Sequence, residues 1–297
     1  MIGGANVDIC GASDATVIKG DSNPGKVSIS VGGVGRNIAD NLARLGGTCL
    51  LLSAIGSDSF GQLIRTQTKA AGVNMTSVLE SGEYPTSCYL SVLDECGDLS
   101  VAINDMSAVS AITPGYLKQH VSLIDEAKLI IIDANLPIET LRFISERFGD
   151  HYTIADGVSA SKVGKFAGIL STINLLKVNL AEGRVLSDLS DGIPEQVASA
   201  LFECGCENIF ITLGADGVYF KTQCQQGLEK PVKNVKQVQN VTGAGDAFVA
   251  GLAYGYLEGW PIHKAVIFAN AAAYLATQSA DTINAEMSLS AVMRIMD

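Results

Sequence analysis

The sequence predicts an α/β fold: a doubly wound, mostly parallel sheet with helices on both faces, plus a small β-sheet lid. Three observations predict it. Beyond residue 113, short strands alternate with helical patterns, and the strands are apolar on both sides, as a parallel sheet covered on both faces requires. Two stretches, about 8–31 and 85–104, alternate apolar and polar residues instead, so they read as half-exposed strands of a separate sheet. No repeat, low-complexity tract or linker interrupts the 297 residues, a length that one large α/β domain can fill. The expected organisation is one domain over 1–297 carrying a lid. Ligands of open α/β folds sit at the carboxyl ends of the strands. A lid there would close over a substrate and exclude water.

The elements follow in order. A very short apolar start leads to Asn6 and Asp8, polar residues at a strand end where a core would take apolar ones. Residues 26–31 alternate strictly, with Val27, Ile29 and Val31 on one face and Lys26, Ser28 and Ser30 on the other. Gly32-Gly33 ends that strand. A helix spans 36–45, with Ile38, Leu42 and Leu45 on one stripe and Gly46 as its C-cap. Residues 48–55 read as a buried strand, and Asp58 caps a helix that ends near Gly72. Residues 87–93 and 99–103 form a hairpin around Glu95-Cys96-Gly97-Asp98. Thr113-Pro114 opens a helix, a capping residue followed by proline in the first turn. Strand 129–133, helix 138–148, strand 152–156, a helix reaching Phe166, strand 173–178, helices reaching Leu186 and Glu203, and strand 208–213 complete the alternation. The last third is helical over 245–257, 261–278 and 286–296.

Composition bounds the partners. Hydrophobic residues make up 47% against 17% charged, and the net charge is −11. Such a chain buries a sizeable core and repels nucleic acid and anionic membranes. If it binds a phosphorylated ligand, local N–H groups, a cation or a metal must hold it. No apolar run reaches the length of a membrane span. Met1-Ile2-Gly3-Gly4 has neither a basic region nor a cleavable apolar segment. The seven cysteines include no C-x-x-C pair and read as reduced thiols of a cytoplasmic protein. His120, His151 and His263 lie at no metal-ligand spacing, so no zinc site is expected.

The stretch Asn240-Val241-Thr242-Gly243-Ala244-Gly245-Asp246-Ala247-Phe248 carries the chemistry. Its glycines free the backbone to close around a ligand, and an apolar helical run follows. A loop turning into a helix presents bare N–H groups and a positive dipole end to an anion. A carboxylate beside such a site suits a general base, so Asp246 points to phosphoryl transfer to a hydroxyl. Other candidates surround it. Gly32-Gly33-Val34-Gly35-Arg36-Asn37 is a glycine-rich turn from strand to helix, and Asn6 and Asp8 suit sugar hydroxyls. Asn179 and Glu182 have capping-box spacing after a buried strand. Thr212-Leu213-Gly214-Ala215-Asp216-Gly217 is either a tight glycine turn or a phosphate-side loop. Two look-alikes are set aside. Gly20 to Lys26 nearly spells a P-loop, but Val27 has no hydroxyl for magnesium and a strand pattern follows. Gly243-Ala244-Gly245 lacks the last glycine of a dinucleotide fingerprint and would set Asp246 against the pyrophosphate.

Taken together these motifs resemble the ribokinase-like (PfkB) carbohydrate kinases, in the right order over nearly the whole chain. Asn6-Val7-Asp8 is similar to the family's early sugar-binding segment, and Gly32-Gly33 with Asn37 to its first signature. Asn179-x-x-Glu182 matches its magnesium and phosphate motif, and Thr212-x-Gly214-x-x-Gly217 its nucleotide loop. Thr242-x-Ala244-Gly245-Asp246 carries its second signature, and Asn270 lies where the family shapes the adenine pocket. Within the family, residues 21–26, 32–37, 102–106 and 240–246 resemble the pseudouridine kinases.

The resemblance implies ATP as donor, Mg²⁺ as cofactor and the 5′-hydroxyl of a small nucleoside, pseudouridine, as acceptor. Ribose, adenosine and inosine kinases of the same fold are the alternatives, and a non-catalytic ligand-binding member is a further one. Asn6, Asp8, Gly32, Gly33 and Asn37 would hold the ribose, with Asn104 and Asn135 as further contacts. Asn179, Thr212, Gly214, Gly217, Thr242 and Asn270 would line the nucleotide site, with the metal near Asn179 and Glu182. Gly243, Ala244 and Gly245 would stabilise the transferring group, and Asp246 would take the proton. The sequence departs from the family at two places. Only Met1 and Ile2 precede Gly3, where relatives carry a full strand, and Asn240-Val241 replaces an Asp-Thr pair associated with a monovalent cation, so potassium activation is not assumed. Apolar lid strands suit a homodimer through the lid.

Overall fold

Two apolar residues are enough to enter the sheet. In the computed structural model, which describes residues 1–232 and 238–296, Met1 and Ile2 lie beside the core strands. Ile2 bridges Leu52 and Ile132, parallel to both. Its N–H donates to the Ile131 carbonyl at 2.8 Å, and the Gly3 N–H donates to the Leu52 carbonyl at 3.1 Å. The chain then runs straight into the lid. Asn6 and Asp8 therefore lie inside a lid strand, not at the end of a core strand as expected, because partners on both sides take up the backbone from this point on.

The lid is a four-stranded sheet. Strand β1 (Asn6–Ser13) pairs antiparallel with β2 (Gly25–Gly32). The helix α1 (Val34–Arg44), strand β3 (Ala54–Gly56), helix α2 (Ser59–Ala70) and strand β4 (Leu79–Ser81) follow. Strand β5 (Cys88–Leu93) then pairs parallel with β1 and antiparallel with β6 (Leu99–Asp105), giving the order β2-β1-β5-β6. The P-loop look-alike is the connection between β1 and β2 and runs into a strand. Residues 48–55 do not form one strand. Leu50 and Leu52 make single bridges to Asn74 and Ile2, and only β3 pairs continuously, with β4. Apolar residues alone do not make a strand where no neighbour offers a continuous ladder.

Short helices α3 (Pro114–Lys118) and α4 (Val121–Asp125) lead into the core. Its strands are β7 (Ile130–Asp133), β8 (Thr153–Asp156), β9 (Leu175–Asn179), β10 (Asn208–Thr212), β11 (Val218–Lys221) and β12 (Gln226–Glu229). They lie side by side in that order, parallel from β7 to β10 and antiparallel beyond. Helices α5 (Ile138–Phe148), α6 (Leu180–Ser187) and α7 (Pro194–Glu203) connect them. Helices α8 (Ala244–Leu257), α9 (Ile262–Ala276) and α10 (Leu289–Met296) close the chain. The helix expected to reach Phe166 is instead two 3₁₀ turns, Val163–Phe166 and Leu170–Thr172. Gly164 and Gly168 fall in this short stretch, and each weakens an α-helix by about 1 kcal/mol.

Strand residues alternate between two cores, as two-sided strands must. Ile131, Ile154, Leu175 and Phe210 pack on the side of α1, α8 and α9. Ile132, Ala155, Leu176 and Ile211 pack on the side of α5 and α7. Phe248 and Phe268 are almost wholly buried on the first side, and each such side chain contributes about 1.5–3 kcal/mol. Helix α8 is buried around most of its girth, so a polar residue in its first turn is carried below the surface. Among the described residues no helix is long and apolar enough to cross a membrane.

Candidate active site

Three neighbouring strands carry ionisable residues that stand in register, two of them at strand ends. Asp133 closes β7 beside Asp156 of β8, and Asp156 lies beside Lys177 of β9. Strand alternation sends all three toward α1 and α8, because Ile131, Ile154 and Leu175 two residues earlier face that way. The Lys177 Nζ lies 3.0 Å from Asp156 Oδ2. Burial would strip Lys177 of its proton, but Asp156, Glu182 and Asp246 outweigh that and hold the ammonium above its ordinary range.

Helix α8 brings Asp246 down onto this row. Its side chain is buried, and its Oδ2 accepts a hydrogen bond from Asn37 Nδ2 at 2.8 Å. Burial, then the Asp156 carboxylate, push the Asp246 pKa up to about 7, against the pull of Lys177 and Asn37. Burial also lifts Asp133 to about 6, although the Gly4 and Asn135 N–H groups donate to it at 2.8 Å each.

The α8 N-terminus is open to a ligand. Gly243 holds φ 84°, in the left-handed region that favours glycine, and no side chain caps the helix. The first-turn N–H groups lack intrahelical partners, and of these Ala244 donates to the Val241 carbonyl at 3.3 Å. Lys177 Nζ lies just under them: a Cβ on Gly245 would meet it at 2.6 Å. The helix end and the lysine face a cavity of about 470 Å³ whose lining includes Asn179, Thr212, Gly214, Gly217 and Asn270. Asn270 Nδ2 is buried there with no hydrogen-bond partner, a donor awaiting an acceptor. Thr242 is exposed outside this lining, with its N–H donating to Asn240 Oδ1 at 2.9 Å.

The lid forms the facing wall. Gly33 caps α1 with φ 95°, and a Cβ there would stand 2.5 Å from Ala5 Cα, so only glycine permits this approach of two backbones. Asn6 Nδ2 donates to Asp8 Oδ1 at 2.6 Å, and Asp8 Oδ2 fills the space a Gly32 side chain would need. Burial raises the Asp8 pKa, partly offset by Asn6 and Arg36. Asp8 pairs with Tyr89 and Tyr89 with Asn104, so the exposed Asn104 shares a face of the sheet with Asp8. Asn135 is half-buried near Gly4, and its Oδ1 accepts from Lys162 Nζ at 2.7 Å. Asn179 and Glu182 form a reciprocal capping box at the start of α6, and Asn179 Nδ2 also donates to Glu182 Oε1 at 2.6 Å.

Asn37 and Asp246, 209 residues apart, are thus in direct contact. Sequence reasoning missed Lys177, Asp156, Asp133 and Arg36. Each left a signal: one lysine inside an apolar strand, one aspartate closing each of two apolar strands, and an arginine inside a glycine-rich turn.

The sequence pattern of the pfkB family carbohydrate kinases matches residues 1–288. The chain belongs to this family. As a member it is a phosphotransferase with an alcohol group as acceptor. It is 40% identical to a pseudouridine kinase of Escherichia coli K12 over 301 aligned positions, covering 100% of this chain and 96% of that protein. A solved carbohydrate kinase from Agrobacterium tumefaciens superposes with TM-score 0.86 at 29% identity, covering 99% and 95% of the two chains. The ribokinase of Arabidopsis thaliana, solved with ribose and ATP, gives TM-score 0.87 at 22% identity over 100% and 97%, a likeness of fold alone.

Proposed function

We propose that this pfkB-family chain transfers the γ-phosphoryl group of ATP to the 5′-hydroxyl of pseudouridine, giving pseudouridine 5′-phosphate and ADP. One observation carries the chemistry: a buried carboxylate, Asp246, held by Asn37 in the first turn of an uncapped helix with Lys177 beneath it. The choice of acceptor is supported by the full-length similarity to the Escherichia coli pseudouridine kinase.

In this reading the triphosphate lies along the α8 N-terminus, where the Gly243, Ala244 and Gly245 N–H groups and Lys177 meet its charge. Asn270 offers its free amide to the adenine, and Thr212, Gly214 and Gly217 shape the loop beside it. Thr242 steadies the turn into α8. Asn6, Asp8, Gly32, Gly33 and Asn37 hold the ribose, with Asn104 and Asn135 reached as the lid closes. Asp246 keeps one oxygen on Asn37 and takes the 5′-hydroxyl proton with the other. The transition state of phosphoryl transfer is loose, so positioning and charge stabilisation supply most of the rate.

Mg²⁺ fits the site as a hydrated ion brought in with the nucleotide. Both Glu182 oxygens already accept from Asn179, and among the described residues no group of three His, Cys, Asp or Glu could cage a metal. Asn179 and Glu182 would orient its waters, and the ion would neutralise phosphate charge. Asn240 uses both ends of its amide on backbone, on Thr242 N–H and the Ala280 carbonyl, so potassium activation is not assumed and is tested by comparing rates in potassium and choline salts. The chain acts as one kinase domain in a reducing cytoplasm, where its seven free cysteines would persist. The lid face bearing Ile29, Leu90 and Ile103 is exposed and apolar, and we assign it to a homodimer, tested by light scattering. The reaction is tested by offering pseudouridine, uridine, adenosine, inosine and ribose with ATP and measuring ADP release.

A further inference from the structure

Helix α1 carries a charged network that the proposed reaction does not use. Arg36 is 2% exposed and Asp40 1% exposed. Arg36 Nη2 donates to Asp40 Oδ2 at 2.6 Å, and Arg44 Nε donates to Asp40 Oδ1 at 2.5 Å. The three residues are four apart, on one face of the helix. Three more of the five Arg36 N–H donors go to Thr68 Oγ1 at 3.2 Å, the Val31 carbonyl at 3.1 Å and Asn37 Oδ1 at 2.9 Å.

The last bond has a chemical consequence. A guanidinium can only donate, so the Asn37 end that faces it must be the carbonyl oxygen. The NH₂ end is then forced outward, where it donates to Asp246 Oδ2. Rotating the amide by half a turn would set Asn37 Oδ1 against the Asp246 carboxylate and its NH₂ against the guanidinium. Both contacts would be lost together. We propose that Arg36 is a positioning residue that locks the Asn37 amide so that it donates to Asp246 and fixes which carboxylate oxygen faces the acceptor hydroxyl. This rests on the reading of Asp246 as the base. The charged groups facing Asp246 are Asp133 of β7, Asp156 of β8, Lys177 of β9 and, through Asn37, Arg36 of α1.

The test is a double-mutant cycle on Arg36→Lys, Asn37→Ala and the double variant, with kcat, KM and pH profiles for each. Lysine keeps the charge but cannot serve all these acceptors in the same geometry. Arg36→Lys should lower kcat about 10- to 100-fold, the scale of a small misplacement of a reacting group, with KM for ATP within about twofold. The acid limb of its kcat/KM profile should move to higher pH, because Asp246 loses a donor to its charged form. In the Asn37→Ala background the same substitution should cost less than about twofold. Losses that multiply, or a profile merely scaled down, would overturn the proposal. Should Arg36→Lys fail to fold, the wild type decides by NMR: the Asn37 side-chain amide must shift as Asp246 titrates near pH 7, and an amide indifferent to pH overturns the lock. Asp246→Asn run alongside separates the two ideas. An active Asp246→Asn refutes the base itself, whereas an inactive one with an additive cycle refutes only the lock.

Discussion

Lys177→Met removes the lysine that β9 sets against the carboxylate row. The Lys177 side chain is 10% exposed and its partner Asp156 1% exposed, with Nζ to Oδ2 at 3.0 Å. At that separation and an effective dielectric of about 20, the pair attracts by about 5 kcal/mol. Methionine fills similar space but leaves Asp156 unpaired beside Asp246. Removing one partner of a buried pair costs about 3–5 kcal/mol, because the remaining charge stays out of water. Asp246 responds by holding its proton, so the penalty shrinks as pH falls. Asp246, already lifted to about 7 with Lys177 in place, rises further. A base that is protonated cannot accept a proton, so the acid limb of kcat/KM moves to higher pH and activity at pH 7 falls. Urea denaturation at pH 8 and pH 5 measures the first effect, and steady-state rates from pH 5 to 9 the second. A variant within about 1 kcal/mol of the wild type at pH 8, with an unmoved limb, would refute the electrostatic account of this site.

Asp246→Asn should lower turnover by about 10²–10⁴, the range for a general base, with ligand binding retained. It should also unfold at higher temperature at pH 8. The folded carboxyl, at about 7, binds its proton more tightly than the unfolded one, so the wild type loses stability as pH rises from about 4 to 7 and the gain from asparagine grows over that window. A melting temperature at pH 8 no higher than wild type would contradict this. Gly32→Ala puts a methyl where Asp8 Oδ2 now lies, so Asp8 must move. Losing one charged hydrogen bond to the nucleoside should raise its KM about 10- to 100-fold and leave KM for ATP unchanged. An unaffected nucleoside KM would remove Asp8 from the acceptor site.

Local pattern made much of this molecule legible. Two-sided strands such as Ile130–Asp133 and Leu175–Asn179 announced the parallel sheet, and Ile29 alternating with Ser28 and Ser30 announced the separate one. The α8 turn was legible because Gly243, an apolar run and a first-turn carboxylate each need a local reason. Residues 48–55 misled because pairing depends on partners distant in sequence, and here those partners are single residues, Ile2 and Asn74. The row of Asp133, Asp156 and Lys177 was hidden for the same reason: register between strands sets it, and no local spacing records register. Arg36 looked like one residue of a glycine-rich turn until the fold buried it against Asn37.

Phosphoryl transfer to pseudouridine is measured most directly by giving the purified protein ATP, Mg²⁺ and either pseudouridine or uridine. The two nucleosides differ only in how the base joins the sugar, so a site that recognises the whole acceptor should discriminate between them. The expected result is saturable ADP release with pseudouridine, a product phosphorylated at the 5′ position by NMR, and a kcat/KM for uridine at least about tenfold lower, the equivalent of about 1.4 kcal/mol. No turnover of pseudouridine, or a higher kcat/KM for ribose, adenosine or inosine, would contradict it.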